Sequence, residues 1–232
     1  MAESGSRRER PRDAKLAREV ILDAAEVAFA QHGFDGARIE AIAKASGYNV
    51  SLLFQYFGDK LGLYAAVLKR IDREITELQV RFAPMFEDEN LASDAGKLKI
   101  FLETMVGVLF DYLLEHLHFL RILTWEMAEG WQTYIQIVPQ LHIEDSDQFE
   151  ALFRPAQKAG LFRADLSPLI QMTLVLQICQ SYLAFLPLYQ MLLPREDVSS
   201  AGALARGREY LATLMVRGMI VDSGESADSS RS

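Results

Sequence analysis

The sequence predicts an all-α protein in which a small helix-turn-helix domain precedes a larger helical bundle, with about nine helices in total. Two observations support this prediction. Apolar residues recur at helical spacing along the 232 residues without strand-type alternation. Half of all residues are hydrophobic, which is enough for a sizeable core.

The first helix is expected to begin near Asp13 and to end at Gly33, because the apolar residues between them form one stripe. A second helix is predicted over residues 39–46 and ends at Gly47, since glycine commonly stops helices. Asn49 then caps a third helix, because its side-chain carbonyl can accept a backbone N–H.

The third helix has two different faces. At about 100° per residue, Leu53 and Phe57 fall on one side, where they anchor this short helix on the first two. The opposite side is free to contact another molecule and consists of Ser51, Leu52 and Gln55, flanked by Val50, Phe54 and Tyr56. Two helices joined by a glycine-containing turn are typical of the unit that presents a helix to the major groove of DNA.

Asp59 is predicted to cap a fourth helix that runs to about Phe82, before Pro84. An acidic loop follows it. Further helices are predicted near residues 94–115, 116–129, 146–159, 167–193 and 198–221.

The charge is unevenly distributed along the chain. The net charge is −8, yet residues 1–75 hold 12 Lys and Arg against 11 Asp and Glu, so the acidic excess lies in residues 76–232. Because phosphate binding depends on the local field, the overall charge does not exclude DNA. The basic residues within 7–18 are either part of a solvated tail or contacts to phosphates or the minor groove.

A cytoplasmic protein is expected from the cysteine content and the apolar segments. A single cysteine allows no intramolecular disulfide, and the N-terminus is polar and basic. The most apolar stretch, residues 174–193, is interrupted by three glutamines and a proline, so no membrane association is expected.

The segment from Gly33 to Leu68 resembles the N-terminal domain of the tetracycline-repressor (TetR) family of bacterial regulators. The motif residues that carry the resemblance are Gly33-Phe34, Ile42-Ala43, Gly47, Phe54, Tyr56-Phe57, Lys60 and Leu63. By motif it covers roughly residues 12–70. It implies a sequence-specific, DNA-binding regulator whose partners are a double-stranded operator, a second copy and a small-molecule effector.

The resemblance also implies the DNA contacts. The third helix would lie in the major groove, with its outward residues nearest the bases, and Tyr56 and Lys60 would contact phosphates; packing against the first helix is the alternative for Tyr56. The predicted DNA-binding residues are Arg38, Asn49, Val50, Ser51, Leu52, Phe54, Gln55, Tyr56 and Lys60.

Two positions depart from the family pattern. Arg38 stands where the family usually has threonine, so a hydroxyl cap is replaced by a guanidinium that could bind phosphate. Val50 and Leu52 occupy positions that are often polar; neither can hydrogen-bond a base, but either can pack against a thymine methyl.

For the C-terminal part, the resemblance implies an effector pocket and a dimer interface made by the last two helices. These helices are apolar and rich in small residues, which fits packing against a second copy or an intramolecular core; we favour the dimer because two-fold operators require paired readers. The expected parts are a flexible basic arm (1–12), a DNA-binding domain (13–65), a ligand-binding and dimerisation domain (66–221) and a disordered tail (222–232).

Aromatic and methionine side chains at helical spacing could line an apolar effector pocket or simply form the core. The candidates are Phe101, Met105, Phe110, Trp125, Met127, Trp131, Tyr134, Phe153, Met172 and Tyr182. Glu126 and Glu129 could receive a cationic ligand, but a solvated face is the simpler interpretation.

No pattern of catalytic residues, metal ligands or phosphate-binding glycines occurs, so no enzyme activity, metal or cofactor is expected. The leading hypothesis is a repressor released when a small apolar ligand binds the C-terminal domain. The alternative is a helical ligand-binding or interaction module with weak or no specific DNA binding.

Overall fold

The computed structural model describes residues 6–86, 88, 90–140 and 146–221, and the side chains of residues 13–74, 88, 90–139 and 149–221. These parts contain ten α-helices, where about nine were predicted, and no β-strand, so the all-α class is confirmed. The helices are α1 (Ser6–Gly36), α2 (Ile39–Ser46), α3 (Val50–Phe57), α4 (Lys60–Phe86), α5 (Ala95–Glu115), α6 (Leu117–Ala128), α7 (Gln132–Ile137), α8 (Ser146–Lys158), α9 (Pro168–Leu192) and α10 (Ala201–Met219).

The chain packs as two compact units. The first combines the described residues up to 77 with residues 117–140, and the second combines residues 78–116 with 146–221. Helices α6 and α7 therefore belong with the N-terminal helices, so the packing does not follow the predicted boundary at residue 66. The division of the chain by function stays a prediction.

In the first unit, α1 packs on α2 and α6, α2 packs on α3, and α6 packs on α7. Its fully buried side chains include Ile21, Phe29, Ile42, Leu53 and Tyr64. The apolar stripe predicted for the first helix forms part of this core. The short helices α2 and α3 gain their stability from packing, because helices of this length are marginal alone.

In the second unit, α5 packs on α9 and α10, and α8 packs on α9. Its fully buried side chains include Phe101, Phe110, Phe153, Phe162 and Val175. The backbone after α10 pairs with the loop after α8, where the N–H of Arg163 donates to Met219 at 2.8 Å and that of Val221 donates to Leu161 at 3.0 Å. These bonds tie the end of α10 to the rest of the unit.

The prediction that the first helix begins near Asp13 was wrong, because α1 begins at Ser6. Its first residues are mostly Arg and Glu, which are good helix formers, so the backbone of residues 6–12 is helical. The helical backbone is interrupted at Gly33 as predicted, with φ 67° and ψ −179°, but helix resumes to Gly36. Residues 1–5 of the predicted arm and the predicted tail, 222–232, lie outside the described residues.

Two further elements differ from the prediction. Helix α4 was expected to end near Phe82, before Pro84, but it continues to Phe86. Helix α7 was not predicted. It follows Trp131, whose backbone is left-handed at φ 63°, and nothing about a tryptophan signals such a turn.

Candidate nucleic-acid interface

Helices α2 and α3 are joined by the predicted turn. Gly47 ends α2 with φ 77°, a left-handed conformation that glycine adopts without steric cost. The side-chain oxygen of Asn49 accepts a hydrogen bond from the backbone N–H of Leu52 at 2.9 Å, and Gly58 follows the last residue of α3. The predicted bounds of α2 and α3 and the predicted cap are therefore confirmed.

One face of α3 is fixed to the rest of the first unit. Leu53 and Phe57 are buried, and the guanidinium of Arg18 lies 4.8 Å from the centre of the Phe57 ring. Such a cation–π contact adds to the apolar packing of the ring. Leu53 and Phe57 are thus the buried side of α3, as predicted, and α3 packs on α2 while Phe57 also contacts Arg18 of α1.

The other face of α3 is open. Ser51, Phe54 and Gln55 are exposed, and 44% of Phe54 is accessible although it is a large apolar side chain. The other side chains predicted for this face are half-buried: Val50, Leu52 and Tyr56. The Tyr56 ring packs edge-on against Phe57, with ring centres 6.2 Å apart, so the packing alternative considered for Tyr56 involves its neighbour in α3.

Arg38 and Lys60 lie at the ends of the neighbouring helices. Arg38 is exposed and directly precedes α2. Its side chain makes no capping hydrogen bond, as predicted for an arginine in place of the usual threonine. The Lys60 ammonium donates to the backbone oxygen of Asp35 at 3.1 Å and lies 4.8 Å from the centre of the Phe34 ring. Because an ammonium has three N–H groups, this position leaves Lys60 able to donate to a phosphate as well.

The N-terminus of α4 already has an anionic partner. The carboxylate of Asp59 accepts a hydrogen bond from the N–H of Gly62 at 2.7 Å, which confirms the predicted cap. A phosphate near Lys60 would therefore share this helix end with the Asp59 carboxylate. Lys60 itself, more than the helix end, is the group suited to such a contact.

The ten candidate pocket residues divide between the two units. In the second unit, Phe101 and Phe153 are buried and border a cleft of about 300 Å³ between the start of α5 and α8. Phe110 and Tyr182 are in ring contact at 5.8 Å, and Met105 and Met172 are half-buried. Only two of these six residues line the cleft, and the pocket remains a prediction.

The other four candidates lie in the first unit. Trp125 and Met127 are exposed, whereas Trp131 and Tyr134 are half-buried with ring centres 5.6 Å apart. The Trp125 indole N–H donates to the backbone oxygen of Ala30 at 3.3 Å. This contact connects α6 to α1.

The interpretation of Glu126 as part of a solvated face was wrong. Glu126 is buried; it accepts a hydrogen bond from the Tyr64 hydroxyl at 2.6 Å and one from the backbone N–H of Tyr134 at 3.1 Å. Burial and the bond to Glu126 raise the pKa of Tyr64 well above its usual value, so this phenol stays protonated and donates. Burial also raises the pKa of the neighbouring Glu129.

Comparison with known proteins assigns the family. The model of the bacterial regulatory proteins of the tetR family matches residues 21–67, and that of the tetracyclin repressor-like C-terminal domain matches residues 101–215. The chain belongs to the TetR family. The expected resemblance is thereby confirmed, and the C-terminal match extends it beyond the motif-bearing segment.

Two curated relatives are repressors. The chain is 28% identical to the HTH-type transcriptional repressor NicS of Pseudomonas putida over 185 residues, covering 75% of this chain and 78% of NicS. It is 32% identical to the HTH-type transcriptional repressor SCO4008 of Streptomyces coelicolor over 118 residues, covering 51% of this chain and 53% of that protein. This TetR-family chain is therefore a DNA-binding transcriptional regulator rather than an enzyme.

Solved structures share the fold. HlyIIR, a hemolysin II transcriptional regulator, matches with a TM-score of 0.59 at 18% identity, over 90% of this chain and 99% of that one. NalD, the secondary repressor of the MexAB-OprM multidrug efflux pump in Pseudomonas aeruginosa, matches with a TM-score of 0.55 at 22% identity, over 91% of this chain and all of NalD. At these identities the likeness establishes the fold alone.

Proposed function

We propose that this TetR-family regulator represses transcription as a cytoplasmic homodimer that inserts α3 of each copy into the major groove of a two-fold operator. The observation that carries the proposal is the asymmetry of α3, in which Leu53 and Phe57 are buried while Ser51, Phe54 and Gln55 are exposed. A helix fixed by one face presents the other at a constant height and angle, as groove reading requires.

The DNA contacts follow from position. Residues on the open face of α3 would meet base edges, and Arg38, Tyr56 and Lys60 would contact phosphates on either side. Phosphate contacts set the register of the protein on the duplex, and base contacts supply the sequence preference. Asn49 would contribute its amide N–H₂, because its carbonyl oxygen already caps α3.

The second copy is proposed to cover the exposed side of α9. Many apolar side chains of this helix are exposed, and the largest exposed fractions among them belong to Phe185, Met191 and Leu192. By length and composition α9 could cross a membrane, since its 25 residues have a mean hydropathy of 1.5 over the best window. We favour the dimer because the buried Gln171 and Gln180 give α9 a polar content that suits a helix bundle.

The oligomeric state tests the interface. Leu188→Arg places a charge on the exposed side of α9 and should shift the protein from dimer to monomer in analytical ultracentrifugation, with unchanged helical content. Ile100→Arg, on an exposed position of α5, should leave the dimer intact. A Leu188→Arg protein that sediments as the wild-type dimer would exclude this face.

Release by an effector is the remaining part of the proposal. A small apolar ligand bound in the C-terminal domain would favour one arrangement of the bundle, and α4, which contributes residues to both units, would carry the change to α3. Typical coupling of about 1–3 kcal/mol corresponds to a roughly 5–150-fold change in operator affinity. The apolar cleft beside Phe101 and Phe153 is one place where such a ligand could bind.

Selection of bound DNA from a random pool tests the function. The expected result is a palindromic sequence that the protein binds in a gel shift, with an affinity that falls as the salt concentration rises. Apolar compounds are then screened, and the one that acts as effector should lower the affinity for this operator. Failure to select any sequence would favour the alternative, a helical ligand-binding or interaction module without specific DNA binding.

A further inference from the structure

The open face of α3 is unusually apolar for a surface that reads DNA. A helix turns about 100° per residue, which puts Ser51 and Gln55 at the centre of this face with Leu52 and Phe54 on either side. Phe54 is 44% accessible and Leu52 is half-buried, so both side chains still have surface to bury against a partner. The face therefore offers a narrow polar strip between two apolar side chains.

Hydrogen-bonding groups are few on this surface. The Asn49 carbonyl is engaged by the N–H of Leu52, and the Lys60 ammonium is turned toward the Asp35 carbonyl. Ser51 and Gln55 remain as the exposed polar side chains within α3. These two side chains and the amide N–H₂ of Asn49 could specify at most a few base edges, because each hydrogen-bonding side chain typically reads one base.

The major groove contains one apolar group on its base edges, the C5-methyl group of thymine. We propose that Leu52 and Phe54 recognise thymine by burying this methyl group, so that methyl contacts determine much of the operator preference. The inference rests on the proposed placement of α3 in the major groove. It specifies the DNA as one with thymines beside the bases read by Ser51 and Gln55.

The size of the effect follows from apolar burial. Burying one methyl-sized group is worth about 0.8 kcal/mol, which corresponds to roughly a fourfold change in Kd. A two-fold operator contains each contacted thymine twice, once in each half-site. Removing both of these methyl groups costs the effect of about 0.8 kcal/mol twice, so binding should weaken by about 15-fold.

Deoxyuridine provides the test, because it keeps every hydrogen-bonding group of thymine and lacks the methyl. The operator selected from the random pool is synthesised with deoxyuridine at one symmetric pair of thymine positions at a time, and Kd is measured with the full-length dimer. We expect at least one pair to raise Kd by about 15-fold. An operator bound equally well with every thymine replaced would overturn the inference while leaving the proposed function intact.

Protein variants assign the effect to the side chains. Leu52→Ala or Phe54→Ala should bring the thymine-to-deoxyuridine ratio of Kd values close to one at the position that each side chain covers. Gln55→Ala is the matched control and should keep the ratio while weakening binding. If the ratio persists in the Leu52→Ala, Phe54→Ala double variant, the methyl acts through DNA shape, and the inference is wrong.

Failure of the selection has a separate meaning. A chain that selects no sequence at all contradicts the proposed function, and the inference about thymine methyl groups is then wrong as well.

Circular dichroism tests whether each alanine variant keeps its helical content. Leu52 and Phe54 are both partly exposed, so their truncation should leave the core unchanged.

Discussion

The hydroxyl of Tyr64 in α4 donates a 2.6 Å hydrogen bond to the carboxylate of Glu126 in α6, and both side chains are only 1% exposed. The other carboxylate oxygen accepts from the backbone N–H of Tyr134. A buried carboxylate is tolerated only when its oxygens have donors. This pair therefore joins α4, α6 and α7 within the first compact unit.

Tyr64→Phe should destabilise the fold by about 1–3 kcal/mol at pH 7, because one buried oxygen of Glu126 loses its donor. Urea unfolding would measure the loss. Tyr56→Phe is the control, since Tyr56 is half-buried and no hydrogen bond to its hydroxyl occurs among the described residues. Equal stability of the two variants would show that the Tyr64 bond contributes nothing.

The same pair predicts a dependence on alkaline pH. The fold raises the pKa of Tyr64 above its unfolded value of about 10, so the stabilisation is complete below pH 10 and is lost as the pH rises beyond it. Stability should fall by up to about 1.4 kcal/mol per pH unit from this group alone. The difference in free energy of unfolding between wild type and Tyr64→Phe, measured with urea, should therefore decrease between pH 9.5 and about 11. A constant difference would contradict the raised pKa of Tyr64.

Gly33→Ala should cost about 1–3 kcal/mol of stability, since the backbone there has a positive φ that suits only glycine. An added Cβ would also lie 3.0 Å from Cδ2 of Trp125. Gly218→Ala is the control: it lies in α10 with nothing within 4 Å of its Cβ, and should be neutral or stabilising. Thermal unfolding of both variants would distinguish them, and similar midpoints would contradict the strain at Gly33.

The helix-turn-helix could be predicted from the sequence, whereas the burial of Glu126 could not. The bounds of α2 and α3 were predictable because Gly47, Asn49 and Gly58 act on their immediate neighbours. The burial of Glu126 was not predictable, because a charged residue in an apolar helix is usually exposed. Its hydrogen-bond partner Tyr64 lies 62 residues away in the sequence. Which aromatic side chains share a unit depends on the same long-range packing, so the pocket candidates could not be separated by spacing.

Gly207→Ala should destabilise the second unit by about 1–3 kcal/mol, because a Cβ there would overlap the hydroxyl of Tyr182 on α9. The tyrosine ring is rigid and also contacts Phe110, so it cannot move aside easily. Gly202→Ala, earlier in α10, has its nearest atom at 3.6 Å and should be neutral or stabilising. Urea midpoints that rank the two variants the other way would show that α10 can shift away from α9.

Lys60→Ala should weaken binding to all DNA sequences alike, because a phosphate contact carries no sequence information. The slope of log affinity against log salt concentration should fall in magnitude by about two, because the dimer loses one phosphate contact per copy. Fluorescence anisotropy with the selected operator and a scrambled duplex, at several salt concentrations, would measure both effects.

Lys97→Ala is the matched control for Lys60→Ala, since it removes the same charge from an exposed position in the second unit, where Lys97 pairs with Asp88 at 2.7 Å. It should leave the salt slope unchanged. Gln55→Ala should instead alter base preference at a constant slope, because its amide would contact a base. If Lys60→Ala binds as wild type does, its ammonium stays on the Asp35 carbonyl when DNA is bound, and Arg38 or Tyr56 must supply the phosphate contact at this end of α3.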